Sequence, residues 1–303
     1  MVRSLAKLAT PLFLVFFALP AQAQSSATPF EEKAIAIFGQ SIHYWDVSTP
    51  DSSGPAIVLL HGLGSRKDDW ARVIEPLSHK RRVIVPDQVG FGKSDKPLLD
   101  YKVQTYVDFL NEFLRQLKID RATLVGESMG GWIAGLDAIE VAKNPHLVPV
   151  DTLILVDAAG LPWEGASTVP SNLNPATLEE MRALMKSLFY DTSWMSDDIL
   201  RAIFTSKLSQ HDGYTIHSLL AGFSQGSEMI GDRLGEIHVP TLVIWGRQDA
   251  LLPLATAQKY AAGIAGAKLV TIDKCGHVPA AEQPQQFVTA VSDFLDAAAP
   301  TAP

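Results

Sequence analysis

The sequence predicts an α/β fold: a mostly parallel sheet of eight strands, helices on both faces, and a helical segment inserted late in the chain. Three observations predict it. Short Val/Ile/Leu runs alternate with longer stretches of helical period, the pattern of parallel strands joined by helical crossovers. Most of the runs are apolar throughout, as strands covered on both faces are. The alternation also stops between about Leu161 and Ile237 and resumes at Pro240.

The first two strands, Lys33 to Phe38 and Ser41 to Val47, meet at Gly39-Gln40 and read as a hairpin. Buried strands follow at Ala56–Leu60, Arg82–Pro86, Ala122–Gly126, Thr152–Asp157, Thr241–Trp245 and Lys268–Ile272. Helical patterns lie between them, around 68–79, 103–118, 129–143, 254–264 and 283–296. Within the interruption only helix-period patterns occur, such as Leu178–Phe189 and Asp197–Leu208. The chain therefore divides into a leader at 1–23, a core from 24–160 and 238–303, and an inserted helical cap at 161–237.

The leader has the layout of a secretory signal. Arg3 and Lys7 precede an apolar run from Leu8 to Pro20, and Ala21-Gln22-Ala23 supplies a small-residue cleavage site before Gln24. The run is shorter than the roughly 20 residues a membrane span needs, so no stable membrane anchor is expected. The protein is expected in the periplasm or outside the cell. Cys275 is the one cysteine, so no disulfide can form within the chain. With 47% apolar residues and a formal net charge of −8, the chain suits a large packed core and an acidic surface. Such a surface disfavours nucleic acid as a partner.

The chemistry is concentrated at loops that follow strands. Gly126-Glu127-Ser128-Met129-Gly130-Gly131 joins the strand ending at Gly126 to the helix that opens near Met129. A Gly-x-Ser-x-Gly turn in this setting lifts the serine oxygen clear of the sheet at a helix N-terminus. Ser128 is the expected nucleophile. Gly222-Phe223-Ser224-Gln225-Gly226 matches the same pattern but follows a helical stretch, so Ser224 is a chance match.

A serine hydroxyl needs a base within reach. Of the eight histidines, His277 lies between glycine and proline in Asp273-Lys274-Cys275-Gly276-His277-Val278-Pro279, after the last strand. The acid that orients it is expected between serine and histidine in the chain. Asp249, after the strand Thr241–Trp245, is the better placed candidate; Asp157, ending the preceding strand, is the alternative. An acyl-transfer oxyanion needs donors, and the backbone N–H groups of Leu63, in His61-Gly62-Leu63-Gly64-Ser65, and of Met129 are the expected pair. His61 reads as a residue that fixes this loop, and the Asp87 to Asp95 loop as structural. No Cys/His/Asp cluster has metal-ligand spacing, and no glycine-rich turn reads as a nucleotide site, so no cofactor or metal is expected.

Together these residues resemble the α/β-hydrolase superfamily over nearly the whole chain after the leader, and the insertion falls where that family carries its cap. The stretch from His61 to Trp70, with Met129 after the serine, is most similar to bacterial lipase, esterase and monoacylglycerol-lipase members. The resemblance implies hydrolysis of carboxylic esters with an apolar acyl or alkyl group, through an acyl-enzyme on Ser128. Carbon–carbon bond hydrolases acting on dienoate ring-fission products also keep the serine and are the alternative. They tend to have Asn before the serine and Trp after the histidine, where this chain has Glu127 and Val278. Such enzymes must hold a substrate carboxylate, yet Arg182, Arg201 and Arg233 of the insertion all have acidic neighbours in sequence. Most of the insertion's large apolar residues (Leu161, Trp163, Met181, Leu184, Met185, Phe189, Trp194, Met195, Phe204, Phe223) are expected to form its own core, with a minority roofing Ser128.

Overall fold

A computed structural model describes residues 30–162, 173–224 and 228–298. The expected signal segment, Trp163 and the last five residues lie outside the described residues. Eight strands form one sheet: β1 (Glu32–Ile37), β2 (Gln40–Val47), β3 (Ala56–Leu60), β4 (Val83–Pro86), β5 (Ala122–Glu127), β6 (Val150–Val156), β7 (Thr241–Gly246) and β8 (Lys268–Ile272). Their order is β1-β2-β4-β3-β5-β6-β7-β8, with β2 antiparallel to both neighbours and all other pairs parallel. The first hairpin turns one residue earlier than expected, through Phe38 and Gly39, both at positive φ (50° and 79°). Two left-handed residues suit the right-handed twist of the strands they join.

Helices α1 (Ala71–Ser78), α2 (Val103–Gln116) and α3 (Met129–Val141) alternate with the first parallel strands. After β7 come α7 (Leu254–Gly263), α8 (Pro279–Glu282) and α9 (Pro284–Ala298). Alternate residues of each central strand enter different cores. Val58, Leu60, Leu153, Leu155, Val243 and Trp245 pack with α2, α3 and α7. Ile57, Leu59, Ile154, Val156, Leu242 and Ile244 pack with α1 and α9. Because both faces are covered, the strands read as unbroken apolar runs.

Between β6 and β7 lie α4 (Leu178–Leu188), α5 (Asp197–Ser209) and α6 (Gly213–Ser224). The sequence starts these helices locally. Thr177 and Glu180 form a reciprocal capping box at α4, and Ser196 caps α5 through the Ile199 N–H. Met181, Met185, Met195, Leu200 and Ile203 make a small core of their own. The backbone up to Ser224 is helical, so the second Gly-x-Ser-x-Gly match begins inside α6 rather than after a strand. Among the described residues, no helix is long and apolar enough to cross a membrane.

Candidate active site

β5, β6 and β7 lie side by side, and the residues just beyond their C-terminal ends meet the loop after β8. Ser128 occupies the turn from β5 to α3 with φ 55° and ψ −118°, a strained conformation for a side-chain-bearing residue. The turn closes only because its neighbours are glycines. A Cβ at Gly126 would stand 2.1 Å from the Gly130 carbonyl oxygen, and one at Gly130 would stand 2.1 Å from that of Leu60. Ser128 is half-buried and faces a cavity that His277 also lines.

His277 and Asp249 are buried and paired, with Nδ1 2.7 Å from Asp249 Oδ2. The other Asp249 oxygen accepts the Leu251 and Leu252 N–H groups at 2.7 and 2.9 Å. An Nδ1–H given to Asp249 leaves Nε2 as the ring's acceptor, and Nε2 is buried with no hydrogen-bond partner among the described residues. Burial opposes a charged ring here, but the charge and hydrogen bond of Asp249, helped by Glu127 and Glu282, hold His277 above the usual imidazole range. Asp157, the alternative acid, is also brought to this place. It makes no recorded bond to His277; its Oδ1 accepts the Gly246 N–H at 2.9 Å.

Leu63 and Met129 both line the cavity. Met129 is the first residue of α3, whose N–H has no partner one turn back within the helix. The loop carrying Leu63 passes close over the serine turn, since a Cβ at Gly62 would lie 3.1 Å from Ser128 Cβ. His61 fixes this loop as expected. Its Nδ1 lies 2.9 Å from the Gly62 carbonyl, its Nε2 takes the Gln88 N–H at 3.0 Å, and burial holds its pKa down. Cys275 is buried and its thiol is pushed up by that burial, unsuited to act as a nucleophile at neutral pH.

Three features were not read from the sequence. Glu127, beside the nucleophile, is buried against the cavity, and desolvation raises its carboxyl to about 8. Its adjacency to Ser128 was the only available signal. Lys67, which reads as part of a short basic run, is fully buried, with Nζ 2.8 Å from Asp87 and 3.4 Å from Glu32. The Lys67 and Lys93 N–H groups also bond to Asp87, so this network ties the loop after β3 to the loop after β4. Finally, the His277 N–H donates to the Leu188 carbonyl at 2.7 Å, and Glu282 accepts from both Gly276 and Tyr190. The histidine loop is thus pinned to the end of α4.

The cavity measures about 450 Å³. The expectation that only a minority of the insertion's large apolar residues roof Ser128 is corrected: Leu161, Met181, Leu184, Met185, Phe189, Trp194 and Phe223 all line it. Met181 and Met185 also belong to the small core of α4 and α5, with Leu184, Phe189 and Trp194 packed against it, so the same side chains serve core and roof. Arg182, Arg201 and Arg233 do not line the cavity; Arg182 pairs with Asp197 and Arg233 with Glu236. Of the cations that do line it, Arg66 faces Asp68, Lys207 pairs with Asp212, Arg72 donates to the Ala281 carbonyl, and Lys274 is exposed.

Comparison with known proteins gives consistent kinships. The sequence profile described as the alpha/beta hydrolase family matches residues 57–290. A 2-hydroxy-6-oxononadienedioate/2-hydroxy-6-oxononatrienedioate hydrolase of Paraburkholderia xenovorans is 32% identical, over 84% of this chain and 90% of that protein. The crystal structure of a membrane phospholipase A, described as a bacterial virulence factor, superposes with a TM-score of 0.78 at 25% identity, covering 90% of this chain and 88% of that one. A meta-cleavage product hydrolase from Pseudomonas fluorescens superposes at 0.69 with 29% identity, covering 88% and 98%.

Proposed function

The chain belongs to the alpha/beta hydrolase family and is a hydrolase, and on that premise we propose that it cleaves carboxylic esters with an apolar acyl or alkyl group through an acyl-enzyme on Ser128. The observation that carries this reading is the make-up of the cavity over Ser128. It is walled by the insertion's apolar side chains, and the lining cations are either engaged or exposed. A neutral, apolar acyl chain suits that space better than a carboxylate-bearing one.

Ser128 Oγ attacks the acyl carbon and gives its proton to His277 Nε2, while Asp249 stabilises the imidazolium. The Leu63 and Met129 N–H groups hold the tetrahedral oxyanion. The ester oxygen takes the proton from His277 and leaves as the alcohol. Water then attacks the acyl-enzyme by the same route, releasing the acid and restoring Ser128.

A second reading is carbon–carbon bond hydrolysis of a dienoate ring-fission product. Two relatives at 32% identity, named as a 2-hydroxy-6-oxononadienedioate/2-hydroxy-6-oxononatrienedioate hydrolase and a 2-hydroxy-6-oxo-2,4-heptadienoate hydrolase, favour it over the ester reading. Measuring kcat/KM for p-nitrophenyl butyrate against a phenyl-substituted dienoate separates the two. Preference for the dienoate, with selective loss in Arg66→Ala, would replace the ester assignment. From the leader alone, we also propose that the protein works in the periplasm or outside the cell.

A further inference from the structure

We propose that Asp157 is a neutral carboxylic acid that donates a hydrogen bond to Asp249, making it a positioning residue for the Asp249–His277 pair. The inference rests on the reading of Ser128, His277 and Asp249 as the reactive triad. It starts from an oddity of the geometry. Asp157 and Asp249 follow adjacent strands, and one side-chain ligand atom each from Asp157, Asp249 and His277 lie within 4.8 Å of one another. All three side chains are buried. Asp157 Oδ1 accepts the Gly246 N–H, but Oδ2 is shut away from solvent with no hydrogen-bond partner among the described residues, and the Asp249 carboxylate belongs to the same buried cluster. Two carboxylates so placed repel, and only a shared proton turns the contact into a bond.

The hydrogen bonds decide which residue carries the proton. Asp249 accepts from Leu251, Leu252 and His277, three donors that favour its charged form; Asp157 accepts from one. Burial and the neighbouring Asp249 charge likewise push Asp157 well above the usual carboxyl range. Among the described residues the other ionisable groups facing this cluster are Glu127, Glu282 and the Cys275 thiol, and none of these offers Asp157 a positive charge. The backbone holds the acid in place. Asp157 has φ 40°, its N–H donates to the Ile244 carbonyl, and Ser128 bonds to residues on both sides of it, Val156 and Ala159. Asp157 thus links the serine turn to the acid loop. By donating to Asp249 it fixes the carboxylate and shares its negative charge, and so limits how high His277 titrates.

The test reads the histidine directly. NMR of 13C-histidine-labelled protein gives the His277 titration in wild type, Asp157→Asn and Asp157→Ala. An asparagine amide still donates to Asp249 and still accepts from Gly246, so Asp157→Asn titrates as wild type does. Its Ser128 phosphonylation rate stays within about threefold, whereas the Ala variant slows about tenfold on losing a buried hydrogen bond. Asp157→Ala removes the donor without removing a charge, so His277 titrates higher. If both variants titrate lower, Asp157 is an ionised second carboxylate and the proposal fails; no shift in either overturns it too. Wild-type protein that resists the phosphonate would count against the serine-hydrolase reading, while the titration would still decide the state of Asp157.

Discussion

Asp249 Oδ2 and His277 Nδ1 stand 2.7 Å apart although 28 residues separate them in the chain. The pairing follows from β7 and β8 being parallel neighbours, so that the loops beyond their ends emerge on the same side of the sheet. Because Leu251 and Leu252 grip the second oxygen, the carboxylate cannot swing away from the ring.

Replacing that carboxylate tests its role. Asp249→Asn is expected to lower turnover about 10³–10⁴-fold, because an amide no longer fixes the imidazole tautomer or stabilises its charge. Steady-state kinetics, with circular dichroism to check folding, would measure it. A loss under tenfold would leave His277 oriented by something else.

Glu127 should make selectivity depend on pH. With its carboxyl at about 8, it is mostly neutral at pH 7 and ionised at pH 9. Glu127→Gln therefore changes little at pH 7. At pH 9 it should raise kcat/KM for an ester whose acyl chain ends in a carboxylate by roughly threefold to tenfold, since a screened like charge has been removed. Equal effects at both pH values would mean that Glu127 does not titrate in this range.

Asp137 on α3 gives a stability effect away from the chemistry. It is buried, bonded among the described residues through one oxygen only, to Asn111, and raised by desolvation to about 7. A folded-state pKa above the unfolded value favours folding at low pH, and that contribution disappears as pH rises through about 7. Asp137→Asn should therefore stabilise the protein by about 2–4 kcal/mol at pH 8.5 and by less at pH 5. Urea unfolding at the two pH values checks this, and a pH-independent difference would contradict it.

The serine turn should tolerate no side chain at Gly126. An alanine Cβ would meet Gly130 O at 2.1 Å and Gly131 N at 2.5 Å, both backbone atoms. Gly126→Ala is expected to cost about 3 kcal/mol or more and to abolish phosphonate labelling of Ser128. Thermal unfolding and labelling of the purified variant would show it, and wild-type labelling would mean that the turn can widen.

Export is open to direct chemistry. N-terminal sequencing of protein secreted by a bacterial host is expected to begin at Gln24, without attached lipid. Membrane-bound protein that keeps Met1 would rule out cleavage after Ala23.

The sequence by itself determined the sheet, the serine turn and the histidine loop, because each is written in neighbouring residues. Unbroken apolar runs mark strands covered on both faces, and glycines at 126 and 130 mark where backbone must touch backbone. It also narrowed the acid to Asp249 or Asp157, since both follow strands on the same side. Only the tertiary structure shows which carboxylate meets the histidine, pairing His277 with Asp249 and Gly246 with Asp157. Tertiary structure likewise buried Lys67 against Asp87, placed Glu127 out of water, and bound the His277 backbone to Leu188. Those outcomes depend on which groups from distant parts of the chain share a low-dielectric space. That follows from strand order and helix packing, which no local pattern of residues encodes.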